Sequence, residues 1–61
     1  MDHAHRLYRL YTVKHGQIVR HRDFEARDDR EALRRASALR REGARELWDL
    51  SSAPARHVST I

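Results

Sequence analysis

Only one stretch of this 61-residue chain carries a long helical pattern, and the remaining elements must be arranged around it. In Asp28 to Gly43, DDREALRRASALRREG, the apolar residues Ala32, Leu33, Ala36 and Leu39 fall at i, i+1, i+4 and i+7, a single stripe. Asp28 stands where an N-cap is wanted, and Glu31 completes an Asp-x-x-Glu capping box. Gly43 suits the left-handed residue that closes a helix. The spacing predicts one helix over 28–43, about four turns long.

A chain this short makes one domain, near the lower size limit for folding without metal, disulfide or partner. It has no cysteine, so disulfides, thiolate zinc sites and thiol catalysis are excluded together. Hydrophobic residues are 39% of the chain and charged residues 36%, so the core must be thin. No apolar run approaches a membrane span, and Met1 to His5 lacks a signal peptide's apolar region. The expectation is a cytoplasmic protein without membrane contact.

Arg6 to Val13, RLYRLYTV, and Ile18 to Ala26 read as two strands joined at Lys14-His15-Gly16-Gln17, a β-hairpin. A two-residue His15-Gly16 loop sets Arg9 opposite Arg22, an unfavourable like-charge pair. A slip of one residue pairs Arg9 with Asp23 and Tyr8 with Phe24. That register is preferred, and it requires a longer loop or a bulge. Ala44 to Leu50 reads as a third strand, Ser51 to Pro54 as a turn or linker, and Arg56 to Ile61 as a short fourth strand or a tail. The domain reading is a loose end at 1–5, one ββαβ domain at 6–50, and a linker with tail or fourth strand at 51–61. The fold class is α+β: a small antiparallel sheet with one helix on one face, ββαβ or ββαββ.

Leu7-Tyr8, Leu10-Tyr11, Ile18-Val19 and Leu47-Trp48 are adjacent apolar pairs, and neighbours in a strand point to opposite faces. One helix covers one face only. The other should expose some of Leu7, Tyr11, Val13, Val19 and either Leu47 or Trp48. Such a patch marks a binding surface, although aromatics on an open sheet also shield cross-strand pairs. Tyr11, Val13, Val19 and Trp48 are the candidate partner-binding residues, with self-association the first expectation and another protein the second.

The net charge is +4. On a helical projection Arg27, Arg30, Arg34, Arg41 and Arg45 share one sector roughly 60° wide, opposite the apolar stripe. Arginine forks grip phosphate, so this ridge is a candidate phosphate-binding surface for weak, sequence-blind nucleic-acid contact. Against it, charge rows on helices are commonly solvated faces, and no RNA-recognition, KH or helix-turn-helix signature is present.

The remaining chemistry is sparse. Met1-Asp2-His3 with a free amine can wrap Cu²⁺ or Ni²⁺ in a square plane, as any chain with histidine third can, and nothing else supports a site. His21-Arg22-Asp23 imitates the kinase catalytic loop without the other parts that loop needs. No nucleophile–base pair stands out. The reading assigns no catalytic residue, no metal, no cofactor and no small-molecule substrate, and expects no enzyme.

YRLYTV at Tyr8 to Val13, DFEARDDREAL at Asp23 to Leu33 and ELWD at Glu46 to Asp49 together resemble a set of short proteobacterial proteins with no assigned function. The resemblance spans roughly Tyr8 to Asp49. It implies that the DFEA segment and Trp48 belong to one fold, and it carries over no catalytic or binding residue. This chain departs from the pattern in its arginine-rich helix and in its tail after Pro54.

Overall fold

A computed structural model describes residues 5–39 and 43–61. Five elements follow in the order β1 (Arg6–Lys14), β2 (Gln17–Ala26), α1 (Asp29–Ala38), β3 (Ala44–Asp49) and β4 (Arg56–Thr60). The strands form one antiparallel sheet in the order β2-β1-β3-β4, with α1 packed on one face: an α+β fold, ββαββ. Arg56 to Ile61 is therefore a strand rather than a tail, and Ile61 extends it by exchanging backbone hydrogen bonds with Arg45.

The hairpin adopts the slipped register. Arg9 lies opposite Asp23 and Tyr8 opposite Phe24. The slip comes from a bulge, not from a longer loop. His15 and Gly16 form a two-residue connection with φ of 54° and 75°, the primed turn whose twist suits a hairpin. Lys14 pairs with Gln17 and Val13 with Ile18, then Thr12 pairs with Arg20, leaving Val19 as the extra residue.

The helix is shorter than its sequence pattern. Asp28 is the N-cap, its side chain accepting from the Glu31 N–H at 2.9 Å. The return bond of the capping box lands one residue upstream, because the Glu31 carboxylate accepts from the N–H of Arg27 at 2.7 Å. The chain leaves the helix at Leu39, which is extended at φ −86°, ψ 109°. Gly43 therefore does not close the helix but leads into β3. At φ 92° it passes so near β1 that a Cβ would stand 3.0 Å from the Val13 carbonyl oxygen.

The core lies between α1 and the sheet: Tyr8 and Leu10 from β1, Ala26 from the end of β2, Ala32 and Ala36 from α1, and Leu47 from β3. Phe24, Leu39, Val58 and Ile61 pack against its rim. Alanine on the helix and large residues on the strands let the two layers approach closely. Leu33, counted in the apolar stripe on spacing, lies exposed beside it. The His3 motif and Arg41 lie outside the described residues.

Candidate functional site

Strand alternation settles which apolar groups the helix leaves uncovered. Leu47 faces Leu10 in the core, so Trp48, opposite Arg9, turns to the open face. Tyr11 and Val13 share that face on β1, and Val13 is opposite Ile18 on β2. Val19, two residues before His21, follows His21 to the open side, since His21 pairs with Tyr11. Ile18 is 60% and Val19 54% exposed, while Tyr11, Val13 and Trp48 are half-buried. All four residues expected to bind a partner thus lie on one surface, and Ile18 joins them through the bulge.

Polar groups divide this face. Arg9 clasps Asp23 in a two-point fork, Nε to Oδ1 at 2.6 Å and Nη2 to Oδ2 at 2.8 Å. The pairing raises Arg9 further above its ordinary range and holds the Asp23 carboxyl below its own. The Trp48 indole N–H donates to Glu46 at 3.2 Å, and the rings of Trp48 and His57 meet edge to face at 5.2 Å. Tyr11 and His21 meet similarly at 6.3 Å. Arg9 is the one arginine among the strand residues of this face, against the carboxylates of Asp23, Glu25 and Glu46. The open face is acidic within a basic chain, so the positive excess of the described residues sits on the helix side and its edges.

The arginine ridge does not form as its spacing predicts. Arg30 and Arg34 are exposed on α1, and Arg27 lies just before its cap with Nε 3.5 Å from Glu31. Arg45 is a correction: it belongs to β3, is only 8% exposed and points under the helix. Its guanidinium donates to the carbonyl of Leu39 at the C-cap and, at 3.2 Å, to that of Ala36, which also accepts the Leu39 N–H. A group spent on the helix terminus cannot grip phosphate. The projection failed because the helix ends seven residues before Arg45.

Sequence reasoning missed the densest polar cluster. Asp49, fully buried at the end of β3, accepts from Arg6 Nε, Arg56 Nη2 and the Ser51 N–H, each at 2.9 Å. Asp29, at the start of α1, accepts from Arg56 and from the Tyr8 hydroxyl, at 2.9 and 2.8 Å. Burial alone would raise the Asp49 carboxyl, but Arg6, Arg56 and the Ser51 N–H outweigh it and hold it below the usual range. The Arg56 bond does the same for Asp29. Burial, aided by the bond to Asp29, drives the Tyr8 phenol up. Each group is locked in its ordinary charge state, so the cluster offers no acid or base near neutrality and works as a clasp. Its signal was the alternation Arg45-x-Leu47-x-Asp49, which sets two charged side chains inward beside a core leucine.

Among the described residues no group of three or more His, Cys, Asp or Glu side chains is placed to hold a metal, and no helix is long and apolar enough to cross a membrane. No family model matches the chain, and no curated protein or solved structure matches it.

Proposed function

We propose that this chain is a small association module, without catalytic activity, that docks its open sheet face against a second copy of itself in the cytoplasm. The observation that carries the reading is the single surface shared by Tyr11, Val13, Val19 and Trp48, with Ile18 beside them, on the side the helix leaves bare. Arg9 and Asp23 already satisfy each other, so burying them leaves neither charge without a partner, while Glu25 and Glu46 on the two copies repel and make the association weaker at low salt. Two sheets pack face to face at about 10 Å, a spacing that interdigitated Tyr, Val and Trp side chains fill.

Area sets the expected strength. Strands of nine, ten, six and five residues at ~3.3 Å each, spaced ~4.8 Å apart, give a face of about 480 Å². A standard interface takes about 800 Å² per partner, so the dimer uses nearly the whole face and is weak, with Kd in the micromolar range. Sedimentation equilibrium from low micromolar to millimolar protein tests this. A rising mass that reaches the dimer, with a shift in Trp48 emission, supports the reading. A monomer throughout that range refutes it.

The division of charge favours a second reading, in which the helix side makes weak, sequence-blind contact with nucleic acid through Arg30 and Arg34. Anisotropy with a labelled oligonucleotide discriminates: binding that survives physiological salt and is lost in Arg30→Gln/Arg34→Gln supports it. Binding that vanishes with modest salt reports only that the protein is basic, and sinks it.

A further inference from the structure

On the helix side, away from the open face, α1 meets the edge strand β2 near Glu25, through Arg35, but its last turn leaves a gap over the middle of that strand. The gap between the last turn of α1 and the middle of β2 is a groove of about 310 Å³ lined by Arg22, Phe24, Arg35, Ala38 and Leu39. Its origin lies in the chain itself. Ala38 and Leu39 end the helix, and the small Ala38 side chain leaves space that a larger residue would fill. Phe24 supplies the floor, fixed by stacking on Tyr8 with ring centroids 6.0 Å apart. Arg22 lies two residues from Phe24 along the strand and so shares its face.

We infer that this groove is a binding site for a small monocarboxylate with a compact apolar body. The floor is apolar and the two polar side chains that line it are both guanidinium groups, a pattern that selects an anion with an apolar tail over a cation or a sugar. Arg35 is already oriented. It donates one N–H to the Glu25 carbonyl at 2.8 Å and keeps Nη2 3.8 Å from Glu31, so part of its fork is neutralised by the protein. Arg22 makes no side-chain hydrogen bond or ion pair with the described residues, and it is the main anchor for the carboxylate. The volume is near the lower end for small-molecule sites, which limits the apolar body to a short aliphatic chain or a single ring. The excess positive charge of this side adds long-range attraction for the anion.

The experiment is a two-dimensional amide NMR titration of the full chain with octanoate below its micellar concentration, repeated with octylammonium. Octanoate is expected to shift the amides of Phe24, Arg35, Ala38 and Leu39 and to saturate with Kd on the order of 1 mM. Arg22→Gln should weaken it about tenfold, the loss of a charge-assisted contact. Ala38→Leu, at an exposed helical position that accepts leucine, should abolish it by filling the groove. Arg30→Gln, on the outer face of the helix, should leave Kd within about twofold, which separates the site from general charge attraction. The spectrum of each variant establishes that it is folded. Octylammonium moving the same amides, shifts centred on Tyr11 and Trp48, or undiminished affinity in Arg22→Gln overturns the assignment.

Discussion

Arg56 and Asp49 are joined at 2.9 Å, and the same Arg56 nitrogen reaches Asp29 at 2.9 Å, so one side chain of the last strand ties the third strand to the start of the helix. Among the described residues six apolar side chains form the buried core, so a clasp at its edge matters to the cohesion of so small a fold. Asp49→Asn keeps the shape but removes the charge on which Arg6 and Arg56 converge. Urea unfolding should show a loss of about 2–3 kcal/mol, below the full cost of breaking a buried pair because both arginines are nearly half exposed and can turn to water. A loss under about 0.5 kcal/mol would mean the clasp is incidental to stability.

The same groups set the pH dependence. Asp29 and Asp49 have folded-state values below the ordinary carboxyl range. The unfolded state therefore takes up protons first as pH falls, and the stability these groups contribute is full above about pH 5, begins to fall near about pH 4 and is lost progressively as pH drops through their folded-state values. Tyr8 has the opposite sign. Its phenol is raised, so its contribution is full below about pH 10 and lost as pH climbs past that point. Melting temperature followed by circular dichroism should be flat from about pH 5 to 9.5 and fall on both sides. Asp49→Asn should make the acid limb shallower, and Tyr8→Phe the alkaline limb. Limbs unchanged in these variants would assign the titration to other groups.

The hairpin offers a stabilising change. His15 adopts φ 54°, the left-handed region that Gly and Asn occupy at least cost and that a histidine side chain tolerates less well. It makes no hydrogen bond with the described residues that would offset this cost. His15→Asn supplies the residue the turn prefers and should raise stability by about 0.5–1 kcal/mol in urea titrations. Gly16, at φ 75° with open space around it, is strained by substitution through its backbone alone. A destabilised His15→Asn would show that the histidine has a role beyond the turn.

These elements also show what the sequence discloses and what it does not. The hairpin register was legible because a single like-charge pair, Arg9 against Arg22, ruled out the simple alternative, and the bulge at Val19 is the physical form of that preference. The bare face was legible because adjacent apolar pairs cannot both turn inward. The helix end was not. Periodicity continues to Gly43, but the chain turns at Leu39, where Arg45 from the next strand caps the last carbonyls, a contact between elements that no local pattern encodes. The clasp was hidden for the same reason. Tyr8, Asp29, Asp49 and Arg56 are far apart in sequence, and only the strand order β2-β1-β3-β4 brings them to one end of the sheet. The groove depends on how far the helix reaches across that sheet, which composition does not report.

Association and folding are separable at Val19. Its side chain is 54% exposed, and as the bulge residue it has no partner in the register of β1. Val19→Lys places a charge at the centre of the apolar end of the open face without disturbing the core. Its effect on urea stability at protein concentrations below the dimerisation range should stay within about 0.5 kcal/mol. Sedimentation equilibrium should show dimerisation weakened at least tenfold, because a desolvated lysine would face the apolar surface of the second copy. Trp48→Ser is the paired test on β3, where the half-buried ring also shields Arg9 and His57, so some stability should be lost along with association. If Val19→Lys leaves dimerisation intact while Trp48→Ser abolishes it, the contact lies toward β3 and β4. If neither changes it, the association uses an edge strand rather than the face.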